Sequence, residues 1–210
     1  MIPLLHDVLP GMSARPVLDL GCGDGRIMTT MDGPVLGCDL SPTLLAHATD
    51  VAPAVRCLLP DLQWLRSGTL GGAYAVLVLE HLPDLNHLFA ELARVVDDRG
   101  FVAVVANHPA YTPPGAGPIV DAADGEVLWR WADYFTPAAG EEPAGEGSMT
   151  FHHRPLGSII EAASTSGWLL DTLVERPLTI DPDNTLLAGQ DRIPRLIGLR
   201  WLKSQRPVAE

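Results

Sequence analysis

Cysteine and basic residues are scarce in this sequence, and long apolar runs are missing from it. The three cysteines, Cys22, Cys38 and Cys57, are an odd number without a close pair, which argues against a disulfide framework or a zinc site. Only 14 basic residues stand against 26 acidic ones, and a formal net charge of -12 disfavours binding to nucleic acid or to an anionic membrane surface. The longest apolar runs, 73–79 and 101–106, are much shorter than the roughly 20 residues of a membrane-spanning helix.

The length and composition predict one domain over residues 1–210. A chain of 210 residues with 47% hydrophobic content can bury a large share of its surface in a single core. Residues 1–16 lack the basic start, the sustained apolar stretch and the small-residue cleavage site of a secretory signal. We therefore expect a cytoplasmic protein.

The most informative motif lies at residues 17–26 and reads VLDLGCGDGR. An apolar run that carries Asp19 near its end, followed by glycines at every second position, predicts a buried strand and a tight turn. Open α/β sheets bind cofactors at such turns. A dinucleotide-binding motif would place its third glycine at position 26, where this chain has Arg26. The motif thus favours a nucleotide-like cofactor other than NAD, and an NAD-dependent oxidoreductase is the weaker alternative.

Apolar periodicity along the chain predicts strands that alternate with helices, and therefore a doubly wound, mostly parallel α/β sheet. Seven strands are expected, and the bounds assigned to six of them are 17–20, 35–39, 55–59, 74–79, 168–175 and 196–202, with the remaining strand after 97–100. Helices are expected after Asp24, after the cap Ser41, after the cap Asp84, and over 156–166.

Residues 107–150 break this regular pattern. The segment is rich in glycine and proline and yet contains five of the 12 aromatic residues of the chain. A long irregular segment with aromatic side chains is typical of a lid or a binding loop over an apolar substrate. We predict that it contains a short helix over 127–134 and that Tyr111, Trp129 and Tyr134 contact the substrate.

Three carboxylates follow three successive predicted strands. Asp39 can accept hydrogen bonds from both hydroxyls of a ribose, and Leu40 would flank an adenine. Asp61 and Leu62, at the end of the third strand, would meet the adenine amino group. Singly, Asp19 can stabilise the glycine turn and Asp61 can cap a helix, but together with Asp39 they indicate a nucleoside site.

Four segments, VLDLGCGDGR, GCDLSPTLL, LVLEHLPDL and ARVVDDRGFVAVV, follow each other between residues 17 and 107. In order and spacing they resemble the class I S-adenosylmethionine-dependent methyltransferases, type 11, the ubiquinone-biosynthesis-like small-molecule group. FHHRPL and IPRLIGLRWLK resemble the end of such enzymes, where the last two strands form an antiparallel hairpin. The resemblance implies a Rossmann-like seven-stranded fold and S-adenosyl-L-methionine as the cofactor.

The resemblance also implies roles for individual residues. Gly21, Cys22 and Gly23 would pass under the methionine part of the cofactor, and Asp19 would orient its amino group. Asp39 would hold the ribose, and Asp61 and Leu62 would bracket the adenine. Leu77 and His81 would lie beside the methyl donor.

The expected reaction is methyl transfer to a small, largely apolar molecule, and oxygen is the expected acceptor atom. Methylation of carbon or nitrogen is an alternative, and so is a methyltransferase-like protein that binds a ligand or partner without transfer. If the acceptor must lose a proton, His81, His108 and His152 are the candidate bases. We expect no metal. Only 16 residues precede Val17, so we expect the aromatic segment or a second subunit of a homodimer to cover the site.

Overall fold

A seven-stranded sheet forms the centre of the molecule. The computed structural model describes residues 1–11, 14–144, 147–178 and 190–204. The strands of the sheet are β1 (Val17–Leu20), β2 (Val35–Asp39), β3 (Ala54–Arg56), β4 (Leu70–Val76), β5 (Val96–Asn107), β10 (Trp168–Pro177) and β11 (Pro194–Lys203). Their spatial order is β3-β2-β1-β4-β5-β11-β10. β1 to β5 pair in parallel, whereas β11 is antiparallel to both of its neighbours, which confirms the predicted fold class.

Among the described residues, four α-helices connect or cover the strands. They are α1 (Ile2–Val8), α2 (Pro42–Ala48), α3 (Leu85–Val95) and α4 (Leu156–Ser164). The two predicted helix caps are confirmed, because the Ser41 hydroxyl accepts a hydrogen bond from the Leu44 amide and the Asp84 carboxylate accepts one from the His87 amide. No helix in the described ranges is long and apolar enough to cross a membrane.

The helix predicted after Asp24 is wrong, because only a 3-10 turn over Met28–Thr30 forms there. The Thr29 and Thr30 hydroxyls donate hydrogen bonds to the carbonyls of residues three positions earlier. β-branched residues with such local partners are poor helix formers, and Pro34 follows too soon for a longer helix.

Several predicted strands have different bounds in the structure, and β5 begins at Val96 instead of after residues 97–100. β3 ends at Arg56 rather than at residue 59. β4 covers Leu70–Val76 instead of 74–79, because Leu77 turns the backbone into the left-handed region with φ 56°. A 3-10 turn over Leu79–His81 follows.

The segment over 107–150 holds two hairpins in place of the irregular chain that we predicted. β6 (Gly117–Val120) pairs with β7 (Val127–Arg130), and β8 (Ala138–Ala144) pairs with β9 (Gly147–His153). The helix predicted over 127–134 is therefore wrong. A tight turn reverses the chain between β6 and β7, where the Gly125 amide donates a hydrogen bond to the Asp121 carbonyl and Gly125 has a φ of +76°.

Apolar side chains cover both faces of the sheet. On one face, α3 and α4 pack against β4 and β5 and form the main core. On the other face, Leu4, Leu5 and Val8 of α1 pack with Tyr74 and Phe101. Since β1, β2 and β4 are parallel, their carboxyl ends meet at one edge, and the predicted cofactor residues follow these ends.

Candidate active site

The glycine turn after β1 packs closely against the chain that follows β4. Gly21, Gly23 and Gly25 all have positive φ values, between 56° and 84°. A Cβ atom placed on Gly21 would lie 2.6 Å from Val78 Cγ2, so a side chain at position 21 has neither the backbone conformation nor the space it needs. The Cys22 amide donates a hydrogen bond of 3.0 Å to the Cys38 carbonyl and fixes the turn to β2.

Asp39 joins this turn to the end of β2. Its Oδ2 accepts a hydrogen bond of 2.9 Å from the Gly23 amide, and its Oδ1 accepts one of 2.8 Å from the Ser41 amide. The neighbouring side chains Leu40 and Leu44 are 53% and 42% exposed. A carboxylate held in place beside exposed apolar side chains suits a ligand that combines hydroxyl groups with a flat apolar ring.

Asp19 is buried at the end of β1, with 1% of its surface exposed. Burial raises the pKa of this carboxyl to about 7, and the charge of Asp39 adds to the rise. The Tyr74 hydroxyl donates a hydrogen bond of 3.0 Å to Asp19 Oδ2, and this hydrogen bond opposes the rise in the pKa. A cation beside Asp19 would favour its charged form, which fits the predicted contact with an amino group.

Asp61 and Leu62 lie in a turn after β3. Asp61 is exposed, and its Oδ1 accepts a hydrogen bond of 3.0 Å from the Gln63 amide without starting a helix. The Leu62 side chain is fully buried in the main core, and its carbonyl accepts a hydrogen bond from Arg94. Leu62 therefore has no exposed surface, on its side chain or its backbone, to offer a ligand.

Leu77 and His81 flank Val78 on the chain that follows β4. The Leu77 amide donates a hydrogen bond of 2.8 Å to the Val105 carbonyl, which secures its left-handed backbone. His81 Nδ1 lies 3.1 Å from the Thr150 carbonyl oxygen, and its ring stands edge-on to Phe151. His81 thereby joins the β8–β9 hairpin to the chain that lies against Gly21.

The structure gives His108 and His152 different surroundings. His108 is buried, its Nδ1 accepts a hydrogen bond of 3.0 Å from the Ala110 amide, and its Nε2 lies 2.8 Å from Glu175 Oε1. Burial lowers the pKa of His108, and Glu175 opposes this. His152 is half-buried and has no hydrogen bond to the described residues. Burial lowers its pKa, as do the nearby charges of Arg154 and His81.

The three predicted substrate aromatics do not form one cluster. Tyr111 and Trp129 stack with ring centres 5.1 Å apart, and the Arg195 guanidinium lies 4.1 Å from the Tyr111 ring centre. Tyr134 lies elsewhere, where its hydroxyl accepts a hydrogen bond of 3.0 Å from the Leu156 amide at the start of α4.

Sequence reasoning missed Glu80, which is buried with 5% of its surface exposed. Its Oε1 accepts hydrogen bonds from the Asn107 amide and from Asn107 Nδ2, at 2.6 and 2.7 Å. Its Oε2 is buried and has no hydrogen-bond partner among the described residues. An acidic residue between Leu79 and the base candidate His81 was the available signal.

Glu80 lines a small cavity of about 20 Å³ at the end of β5. Apolar and polar side chains share its wall, which consists of Leu79, Glu80, Leu85, Ala106, Asn107, Pro109, Thr112, His152, Arg154 and Ile159. Of the three histidines predicted as bases, His152 is the one on this wall.

Comparison with known proteins decides which class of enzyme this site belongs to. Residues 18–104 match the type 11 methyltransferase domain. An S-adenosylmethionine-dependent methyltransferase from Mesorhizobium loti shares the fold with a TM-score of 0.79 and 25% identity, and the match covers 96% of each chain. Residues 18–104 are thus a methyltransferase domain, in a chain with the fold of class I S-adenosylmethionine-dependent methyltransferases.

Two further structures share the fold of this methyltransferase. A protein from Listeria monocytogenes proposed to be an S-adenosylmethionine-dependent methyltransferase has a TM-score of 0.80 and 21% identity, with 96% of each chain covered. The geranyl diphosphate C-methyltransferase of Streptomyces coelicolor has a TM-score of 0.63 and 16% identity, with 96% of this chain and 79% of that chain covered. Among curated proteins, none matches the sequence.

The residues at the sheet edge fit S-adenosylmethionine, which supplies a methyl group on a positively charged sulfur. A Cβ atom at Gly21 would meet Val78, so the turn beside the predicted cofactor site has to be built from glycine. Carboxylates at Asp19 and Asp39 suit the ammonium and the ribose hydroxyls of the cofactor. The sheet edge therefore carries hydrogen-bond acceptors of the kind that the ammonium and hydroxyl groups of the cofactor need.

Proposed function

We propose that this methyltransferase transfers a methyl group to an oxygen atom of a small, largely apolar molecule. The observation that carries the proposal is the cavity at the end of β5, where Leu79, Leu85 and Ile159 surround a few polar groups. Its position beside the chain that contacts Gly21 supports an acceptor site next to the cofactor. Displacement at a methyl carbon depends mainly on holding the acceptor in line in a dry pocket, which such a wall favours.

For the cofactor we propose the contacts that the sequence predicts. Asp19 binds the ammonium group, Asp39 the ribose hydroxyls, and Asp61 the adenine, beside Leu40. The remaining contacts, to the methionine part and the methyl group, come from Gly21, Cys22, Gly23, Leu77 and His81. Tyr111, Trp129 and Tyr134 stay predictions for the acceptor, as do the cytoplasmic location and a homodimer.

Calorimetry with S-adenosylhomocysteine tests the cofactor site. Asp39→Ala should weaken binding at least tenfold, because hydrogen bonds to a charged acceptor contribute about 1.5–3 kcal/mol each. Asp50→Ala, at an exposed position after α2, is the matched control and should bind like the wild type. The proposal fails if the folded wild type binds S-adenosylhomocysteine no better than NADH.

A labelling experiment tests the acceptor atom. With methyl-labelled S-adenosylmethionine, matched aromatic compounds that differ only in a hydroxyl, an amino or a ring C–H group compete for transfer. We expect label in the hydroxyl compound. Preferential label in the amine or on ring carbon would replace oxygen by nitrogen or carbon as the acceptor.

A further inference from the structure

The unpartnered oxygen of Glu80 is the feature of the site that the cofactor contacts leave unexplained. A buried carboxylate oxygen without a hydrogen bond is costly and rare in folded proteins. Glu80 is 5% exposed, Oε2 has no partner among the described residues, and the residue lines the cavity at the end of β5. The arrangement indicates that a donor from outside the chain completes the site.

Hydrogen bonds from Asn107 fix the orientation of the Glu80 carboxylate, so the side chain cannot rotate to bring Oε2 to a donor. Asn107 donates two hydrogen bonds to Oε1, from its backbone amide and its side-chain Nδ2. The Arg195 guanidinium in turn donates to Asn107 Oδ1, which fixes the orientation of the amide. Oε1 is therefore occupied, and Oε2 stays available.

Arg154, the positively charged side chain on the cavity wall, already has other hydrogen-bond partners. The Arg154 guanidinium donates to the backbone carbonyls of Leu79, Leu82 and Pro83, and no hydrogen bond to Glu80 forms. Across the described ranges, no three histidine, cysteine, aspartate or glutamate side chains cluster as metal ligands. The described side chains therefore leave Oε2 available to a hydrogen-bond donor of the substrate.

The volume of the cavity limits the size of that donor. About 20 Å³ accommodates one water-sized group, so a single hydroxyl can enter while the remainder of the substrate stays outside. Glu80 also lies two residues after Val78, which contacts the glycine turn. A hydroxyl on Oε2 would thus lie near the part of the site where this turn would hold the cofactor.

We propose that Glu80 Oε2 binds the hydroxyl group of the substrate and accepts its proton during methyl transfer. This inference rests on the proposed oxygen methylation and assigns its base to Glu80 instead of His81, His108 or His152. As the hydroxyl oxygen forms its bond to the methyl carbon, its proton moves to Oε2 and the carbon–sulfur bond breaks with its electron pair on sulfur. The products are a methyl ether, S-adenosylhomocysteine and a protonated Glu80.

Binding of phenol and anisole to the complex with S-adenosylhomocysteine tests this proposal without turnover. Phenol carries the O–H donor that Oε2 needs, and anisole carries a methyl group in place of that hydrogen. The wild type should bind phenol about ten- to a hundredfold more tightly than anisole, the ratio expected for one hydrogen bond to a charged group. Glu80→Gln keeps an acceptor for Asn107 but places an NH₂ donor in the cavity, so the preference should disappear or reverse.

Glu161→Gln, the same change at an exposed position of α4, is the matched control and should keep the preference for phenol. In His152→Gln, a loss of the preference together with no effect of Glu80→Gln would assign the acceptor to His152 and overturn the proposal. Equal affinities of the wild type for phenol and anisole, or no phenol binding, would overturn the proposal. If the wild type does not bind S-adenosylhomocysteine, the proposed function is refuted. If it binds S-adenosylhomocysteine but does not prefer phenol to anisole, the assignment of Glu80 alone is refuted.

Discussion

Replacing Asp19 by asparagine should change how the stability of the ligand-free protein depends on pH. The folded protein raises the pKa of Asp19 to about 7, whereas an unfolded chain leaves it near the reference value of about 3.9. Between these values the native state holds one proton more than the unfolded state. The stabilisation from this group is therefore complete at low pH and is lost as the pH rises towards 7.

The size of the effect follows from the same two pKa values. Each pH unit in this window lowers the free energy of unfolding by about 1.4 kcal/mol, so the two units from pH 5 to pH 7 amount to about 2.7 kcal/mol. Asparagine has a similar shape, does not titrate, and can still accept the hydrogen bond from Tyr74. The stability of Asp19→Asn relative to the wild type should thus increase by about this amount between pH 5 and pH 8.

Urea unfolding of both proteins at pH 5 and pH 8, without cofactor, measures this difference. Tyr74→Phe is the companion variant, because it removes the hydrogen bond that lowers the pKa of Asp19 and should extend the loss of stability to higher pH. A stability difference between Asp19→Asn and the wild type that is the same at both pH values would refute the reasoning.

Two further predictions concern glycines and one concerns the core. Gly21→Ala should abolish measurable S-adenosylhomocysteine binding in calorimetry, since its Cβ would lie 2.6 Å from Val78 Cγ2; affinity within threefold of the wild type would contradict the close packing. Gly157→Ala, in α4 with open space around it, should instead raise the free energy of unfolding by about 0.5 kcal/mol in urea titration, and a loss would show strain there. Trp168→Phe should lower the free energy of unfolding by about 2–4 kcal/mol, because the buried indole donates a hydrogen bond to the Phe89 carbonyl. A decrease of less than about 1 kcal/mol would show that the site repacks.

The sequence was most informative where a local signal coincides with a structural need. Ser41 and Asp84 cap helices because each side chain reaches an amide three residues later, and both signals lie within one helical turn. The glycine turn and the carboxylate Asp39 are also local to strand ends. Together with the apolar periodicity and the family resemblance, they predicted the sheet and the edge at which we propose that the cofactor binds.

Predictions failed where distant partners decide the structure. The tetrapeptide Val127–Arg130 has no clear period, and its pairing with Gly117–Val120 across a turn makes it a strand. The position of Glu80 depends on Asn107, which is 27 positions away, and its cavity wall includes His152 of β9. Neither the neighbouring residues nor a motif spacing predicts that Glu80 Oε2 has no hydrogen-bond partner among the described residues.

The position of β11 has a consequence for the order in which the protein can fold during synthesis. Ribosomes deliver β5 and β10 before β11, yet β11 lies between them and pairs with both. Until residues 194–203 leave the ribosome, two strand edges lack the neighbour that the finished sheet provides. A nascent chain stalled before Pro194 should therefore be sensitive to proteases and to aggregation, although the whole glycine turn has already been made.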